Sequence, residues 1–172
     1  MSPRARCWPR PASTASCMSA TARRRRSPRS ARPVAERIAL AADLAEIARL
    51  NDWIEARFEA AGLAAPLRAD MKLCLDEAVT NVISHGMTGI AAPEIEVALE
   101  AGPDRAEAVV TDNGPPFDPL AVPLADPITD LETATLGGFG IKLMRETATA
   151  LSYRREAGQN RLTITCGAET PQ

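Results

Sequence analysis

Residues 66–86 read PLRADMKLCLDEAVTNVISHG, and this stretch decides the fold. Its apolar residues recur at spacings of three and four, the period of an amphipathic helix; they are Leu67, Met71, Cys74, Leu75, Ala78 and Val82. Pro66 suits the first helical turn, because the backbone N–H that proline lacks would be unpaired there. Gly86 interrupts the pattern, so the sequence predicts a helix from Pro66 to about His85 with one buried face.

The segment before this helix predicts a strand and another helix. Residues 36–40 are typical of a first strand, and the stretch from Asp43 to Ala61 has the same helical period; its apolar positions are Leu44, Ile47, Leu50, Ile54, Phe58 and Ala61. Gly62 follows as a C-terminal cap, because glycine readily adopts the left-handed conformation found there.

The segment after it predicts four strands and a third helix. Residues 94–100 alternate Ile95, Val97 and Leu99 with polar or small residues, and residues 105–111 return after a turn at 102–104. A proline-rich stretch over 113–136, with a short helix at 130–133, precedes a helix from 137 to about 149. Closing strands at 151–155 and 161–165 are joined by a turn at 158–160.

The element order is therefore β-α-α-β-β-loop-α-β-β. Strands joined by tight turns are antiparallel. We expect an α+β, two-layer α/β sandwich, in which a mixed, mainly antiparallel sheet carries the helices on one face.

Composition and charge narrow the function classes. Of 172 residues, 45% are hydrophobic but 3% are aromatic, which predicts an aliphatic core. Residues 1–37 contain ten arginines and one acid, whereas the rest is acidic, so the folded part is unsuited to non-specific nucleic-acid binding. No apolar run approaches the roughly 20 residues of a membrane span. We expect a cytoplasmic protein without membrane contact.

The cysteines and the tail have simple interpretations. The four cysteines form no CxxC pair and there is one histidine, so a zinc site is not expected, and Cys74 and Cys166 are predicted to be buried thiols. Residues 1–33 are expected to be a disordered basic tail or a mis-assigned start; a targeting peptide and an anion-binding arginine run are alternatives. Residues 34–168 form the predicted domain and 169–172 a short tail.

Three short segments contain residues that could bind a ligand or take part in a reaction. The first holds Glu77 and Asn81, which are four apart and share a helix face. A carboxylate beside an amide carbonyl is an oxygen-rich spot suited to magnesium, and the carboxylate could also accept a proton from a hydroxyl. An ordinary solvent-exposed pair is the alternative.

The second segment is Asp112-Asn113-Gly114, at the end of a strand. Asp112 could accept a hydrogen bond from an exocyclic amine, and Gly114 would let a planar ring approach the backbone. A plain turn is the alternative.

The third segment is Gly137-Gly138-Phe139-Gly140, which opens a helix. Free backbone N–H groups at a helix N-terminus form an anion site. It lacks the GK[ST] of a P-loop and the spacing of a dinucleotide-binding fingerprint, and a flexible hinge is the alternative.

Taken in order, the three segments resemble the GHKL (Bergerat-fold) ATPase superfamily. Within it, DEAVTNVISHG (76–86), VTDNGPPFDP (110–119) and GGFGIKLMRETA (137–148) look most like the anti-sigma-factor serine/threonine kinases. Tyr153 and the run 160–162 fit that subgroup too. The resemblance covers residues 34–167. One departure is Thr149, where the family commonly has an acid.

This resemblance implies ATP and Mg²⁺ as cofactors and a role for each site residue. Glu77 would be the catalytic base and Asn81 the magnesium ligand, while the other nucleotide contacts would be Asp112, Gly114, Phe117, Gly137, Gly138, Phe139, Gly140 and Ile141. Residues 115–136 would form a lid, and Lys142 and Arg145 would be either phosphate contacts or solvated side chains. His85 ends a helix and is not expected to be a phosphoacceptor.

The implied function is phosphoryl transfer from ATP to a serine or threonine of an anti-anti-sigma (STAS) partner. The protein would thereby control a sigma factor by partner switching, without contacting nucleic acid, and a homodimer is compatible with this. The first alternative is an ATP-binding regulator that sequesters a partner without kinase activity. The second is a free-standing histidine-kinase-like ATPase domain, which the short chain and the closing strands disfavour.

Overall fold

The computed structural model describes residues 35–123 and 139–168. Its helices are α1 (Glu46–Ala61), α2 (Ala65–Asn81) and α3 (Phe139–Thr147), and α2 continues into a π-helical turn at Val82–Gly86. Its strands are β1 (Glu36–Leu40), β2 (Ile95–Ala101), β3 (Arg105–Asp112), β4 (Ala150–Glu156) and β5 (Gln159–Gly167). The predicted element order is confirmed. The predictions for residues 1–33, the helix at 130–133 and the tail at 169–172 lie outside the described residues.

The five described strands form one open sheet in the order β1-β2-β3-β5-β4. Every pairing among them is antiparallel, which confirms the mainly antiparallel sheet that the turn spacings predict. Non-sequential neighbours arise only where β5 inserts between β3 and β4. This insertion brings the start of β5 directly beside the end of β3.

One face of the sheet is apolar and carries the helices. Ile38, Val97, Val110 and Leu162 are register partners across four strands, so their side chains share a face. α2 contacts β3 and β5 on this face, with α1 and α3 packed on either side of it. The core is aliphatic apart from Phe58, as the low aromatic content predicts. Cys74 and Cys166 are buried free thiols within it, which confirms that prediction.

Two element boundaries differ from the sequence prediction. Helix α1 begins at Glu46 rather than Asp43, because the Asp43 side chain accepts a hydrogen bond from Ala45 N at 2.9 Å and forms a turn instead. The final hairpin turns at Ala157 and Gly158, whose φ angles of 50° and 83° suit a two-residue hairpin turn. Gln159 and Asn160 therefore belong to β5 and not to the turn.

The caps around α1 and α2 follow the sequence closely. Gly62 adopts the left-handed conformation at the end of α1, with φ 65°, and Pro66 lies in the first turn of α2. Within residues 35–123 and 139–168, no helix is long and apolar enough to cross a membrane.

Candidate functional site

A cavity of about 380 Å³ lies between α2, α3 and the adjacent ends of β3 and β5. Its walls are largely aliphatic and aromatic, with contributions from the helices, the sheet and the segment after β3; they include Ala78, Val110, Phe117, Ile141, Met144 and Leu162. Four polar side chains complete the lining, namely Asn81, Asp112, Tyr153 and Asn160, together with the more exposed His85. An apolar slot with a few convergent polar groups is typical of a small-molecule site.

Asp112 is the carboxylate of this cavity and is only 6% exposed. It is the last residue of β3, and its Oδ1 accepts hydrogen bonds from Gly114 N and Asn160 Nδ2, each at 2.9 Å. Among the described residues, none donates a hydrogen bond to Oδ2. One carboxylate oxygen is thus fixed by the protein, while the other can accept a hydrogen bond from a ligand.

Asn160 is the polar residue that sequence reasoning missed as a site residue. It is 6% exposed and pairs with Asp112 across the β3–β5 ladder. Its Oδ1 accepts hydrogen bonds from Tyr153 Oη at 2.8 Å and Arg155 Nη1 at 2.7 Å. The missed signal was the hairpin turn. Placing the turn at 157–158 would have started β5 at Gln159 and aligned Asn160 with Arg155, two residues along β4 from Tyr153.

Gly114 is required by packing of the backbone. A β-carbon there would lie 2.6 Å from the carbonyl oxygen of Gly86 and 2.9 Å from Met87 Cε. Gly114, the second residue after β3, therefore approaches the end of the π-helical turn more closely than any side chain would permit. The structure thus gives Gly114 a packing role, and the approach of a planar ring to its backbone stays a prediction.

Asn81 lies at the end of α2 and lines the cavity. Its Nδ2 is buried and makes no hydrogen bond to any described residue. A buried amide without a partner costs about 1–3 kcal/mol. The site therefore contains a polar group that a bound ligand would satisfy.

Glu77 lies one turn before Asn81 on α2, but its carboxylate is not part of the cavity lining. It contacts the first turn of α3 instead. A β-carbon added to Gly140 would overlap the Glu77 carboxylate and would lie 2.9 Å from Glu77 Cδ. The absence of a side chain at Gly140 is thus what lets Glu77 occupy the N-terminus of α3.

The remaining predicted residues are distributed around this helix. Ile141 is buried and lines the cavity, whereas Phe117 and Phe139 are 50% and 60% exposed, and of these two only Phe117 lines it. Gly137 and Gly138 lie outside the described residues.

The two cations considered for phosphate contact have partners within the chain. Arg145 Nη2 donates a hydrogen bond to the carbonyl oxygen of Pro119 at 2.7 Å, and Lys142 Nζ lies 3.9 Å from Glu146 Oε1. Arg145 therefore links α3 to the segment that follows β3.

Comparison with known proteins identifies the family. The family described as "Histidine kinase-like ATPase domain" matches residues 40–166, which is most of the chain. The chain belongs to the histidine kinase-like ATPase domain family.

Named relatives within this family are protein kinases. The chain is 39% identical over 105 residues to the serine/threonine-protein kinase BtrW of Bordetella bronchiseptica, a match that covers 59% of this chain and 72% of that protein. It is 32% identical over 88 residues to the serine-protein kinase RsbW of Listeria monocytogenes, covering 49% of this chain and 56% of that protein. The match to the Listeria protein thus spans little more than half of its length.

A solved structure is also similar to the chain. It is the histidine kinase domain of a blue-light activated histidine kinase from Erythrobacter litoralis, with 15% sequence identity and a TM-score of 0.41. The similarity covers 72% of this chain and 60% of that one.

Membership of the histidine kinase-like ATPase family implies that the chain binds ATP, and the cavity suits the base of that ligand. Its apolar walls can enclose a planar ring, and the Asp112 carboxylate can accept a hydrogen bond from a ring amine. The unpartnered Asn81 amide lies at the end of α2, on the helical side of the cavity. Together with the start of α3, it would meet the phosphates. The described residues therefore fit a nucleotide at both ends.

Proposed function

We propose that this protein is an ATP-dependent serine/threonine kinase that phosphorylates a Ser or Thr of an anti-anti-sigma (STAS) partner. The observation that carries the proposal is the placement of Glu77 against Gly140, beside a cavity whose other end presents Asp112. A carboxylate that can accept a hydrogen bond from a base amine and a second carboxylate that can accept the proton of a hydroxyl suit phosphoryl transfer from a purine nucleotide. The kinase names of the relatives support the same reaction.

The base end of the cavity selects the nucleotide. Asp112 accepts a hydrogen bond from the exocyclic amine of adenine through its Oδ2. Ile141 and Met144 on α3 and Leu162 on β5 supply apolar surface for the ring. Phe117, which is half exposed at the cavity wall, covers the ring on the side of the proline-rich segment.

The phosphate end holds the reacting groups. The first backbone N–H groups of α3 have no partner within the helix, and Gly137 and Gly138 precede them in the sequence without side chains that would keep phosphate oxygens away. Gly140 instead leaves room for the Glu77 carboxylate. Asn81 would hold magnesium through its amide oxygen, and magnesium, when bound, neutralises phosphate charge. Glu77 accepts the proton of the attacking hydroxyl.

The biological setting follows from the same relatives. We propose that phosphorylation of the STAS partner controls a sigma factor by partner switching in the cytoplasm, with a homodimer as an acceptable form of the kinase. Direct nucleic-acid contact is not part of the proposal, because the body of the chain is acidic. An ATP-binding regulator that sequesters its partner without transfer would use the same cavity but would not need Glu77.

The test is phosphoryl transfer in a purified system. Wild-type protein, Mg²⁺, γ-labelled ATP and a candidate STAS partner should give label on a Ser or Thr of the partner. Glu77→Gln should lower the transfer rate by about 10²–10⁴-fold, which is the usual contribution of a general base. Its affinity for ATP should stay close to that of the wild type.

The control variant is Glu59→Gln, which makes the same chemical change at an exposed position of α1. It should transfer at the wild-type rate. ATP binding without transfer by the wild type would favour the sequestering regulator, and failure of the wild type to bind ATP would overturn the proposal altogether.

A further inference from the structure

The second residue of β5, Asn160, is the centre of a hydrogen-bond network behind the Asp112 carboxylate. Its Nδ2 donates to Asp112 Oδ1 and to the carbonyl oxygen of Pro115, both at 2.9 Å. Its Oδ1 accepts from Tyr153 and Arg155. Together, these four hydrogen bonds connect β5 to β3, to β4 and to the segment after β3. They all pass through one side-chain amide, in a residue that is 6% exposed.

The orientation of this amide is determined by its neighbours. A guanidinium can only donate hydrogen bonds, and an ionised carboxylate can only accept them. With Arg155 on one side and Asp112 on the other, the amide oxygen must face Arg155 and the amide nitrogen must face Asp112. A flipped amide would set donor against donor and acceptor against acceptor.

The same network fixes the rotation of Asp112. Its Oδ1 is held by Asn160 Nδ2 and by Gly114 N, so Oδ2 has one available position. Arg155 Nη1 also donates to the Gly114 carbonyl oxygen at 3.1 Å, which connects the segment after β3 to β4. The carboxylate is therefore oriented by the protein before any ligand arrives.

We infer that Asn160 is a positioning residue for nucleotide recognition, and that Tyr153 and Arg155 orient it. Its donor atom holds Asp112 with one oxygen directed at the 6-amino group of a purine, so the network determines the preference for adenine over bases that lack this amine. This deepens the proposed function and rests on it, because it specifies how the same cavity distinguishes its nucleotide.

The preference is measured with two ligands, ATP and the triphosphate of purine riboside, which carries hydrogen in place of the 6-amino group. Wild-type protein should bind ATP at least about tenfold more tightly, because a hydrogen bond to a charged group is lost with the analogue. Asn160→Leu should reduce this ratio to about threefold or less, since it removes the donor to Asp112.

The pair of ligands separates positioning from packing. A structural defect would weaken the binding of both nucleotides by the same factor and leave the ratio unchanged. Arg154→Ala is the control, because Arg154 is exposed on the other face of β4.

A second variant tests the same inference if the substitution of Asn160 prevents folding. Tyr153→Phe combined with Arg155→Ala removes both donors to Asn160 Oδ1 at a less buried place, and it should reduce the same ratio. An unchanged ratio in every variant that folds would overturn this inference while leaving ATP binding intact. A wild-type chain that does not bind ATP would overturn the proposed function as well.

Discussion

The two ends of the cavity differ in how completely their polar groups are paired. At the base end, Asp112 and Asn160 share a closed network of hydrogen bonds between 2.7 and 2.9 Å. At the phosphate end, Asn81 Nδ2 is buried without a partner among the described residues. One end is preorganised by the protein, and the other has a group that a charged ligand would complete.

This difference shows how one small domain can combine selectivity for a base with phosphoryl transfer. A neutral base can be recognised by a rigid acceptor, because little charge has to be rearranged. A triphosphate and its cation bring several charges with them, and a buried group without a protein partner, such as Asn81 Nδ2, is available to them. Binding selectivity and phosphoryl transfer should therefore be separable by substitution at the two ends.

The largest effect on binding is expected from Asp112→Asn. An amide at this position removes the charge and sets a donor where the ring amine or Asn160 Nδ2 also donates. The Kd for ATP should rise about 100-fold, which corresponds to about 2.7 kcal/mol. Isothermal titration calorimetry measures this directly. Asp104→Asn, in the exposed turn before β3, is the matched control and should bind normally; equal losses in the two variants would contradict the role of Asp112.

Gly140→Ala, at the phosphate end, should lower the rate of phosphoryl transfer more than the affinity for ATP. The new methyl group must displace the Glu77 carboxylate, and small displacements of a catalytic group cost up to about 100-fold in rate. We expect transfer at saturating ATP to fall about 10- to 100-fold with a smaller change in Kd. The control is Gly102→Ala, whose β-carbon would meet its nearest neighbour at an ordinary 3.8 Å. A change confined to Kd would show that the two ends are not separable.

Gly114→Ala should act on stability more than on chemistry. Its β-carbon would meet the backbone of Gly86 at 2.6 Å and Asp112 Oδ1 at 2.9 Å, so the segment after β3 must move away from the helix end. The free energy of unfolding should fall by about 1–3 kcal/mol. Urea denaturation measures the change, again with Gly102→Ala as the reference. Wild-type stability would show that the close approach is not needed.

The smallest change in the native protein is expected in the core, where the Cys74 thiol is buried outside the cavity. Cys74 lies one turn before Glu77 on α2, and hydrogen bonding to Cys166 together with burial raises the pKa of its thiol. A raised pKa keeps the thiol protonated, and therefore unreactive, at pH 8. Iodoacetamide should leave Cys74 unmodified in the native chain and alkylate it fully in urea, as followed by peptide mass spectrometry. Rapid native alkylation would reveal opening of α2 beneath the phosphate end.

The sequence predicted the fold well because its signals are local and repeated. The helical period of α2, the glycine cap after α1 and the alternation in β2 each report burial of one face, and all are confirmed. The start of α1 and the final turn were wrong by a few residues. In both places a single local interaction decided the outcome: the Asp43 side-chain turn and the left-handed pair at 157–158.

Only part of the candidate site could be predicted from the sequence. Glu77 and Asn81 share a helix face, so their proximity follows from spacing alone. That Glu77 faces Gly140 could not be read from either motif, because the contact joins two helices about sixty residues apart in the chain. The same holds for Gly114, whose constraint comes from Gly86 at the end of another element.

By itself, the sequence determined the element order, the aliphatic core and the identity of the residues with reactive side chains, because these depend on periodicity and composition. Only the tertiary structure decided which of them meet. The insertion of β5 between β3 and β4 brings Asn160 beside Asp112 and within reach of Tyr153 and Arg155. Register between distant strands is set by the packing of the whole sheet, so the network that orients Asp112 exists only once the sheet has formed.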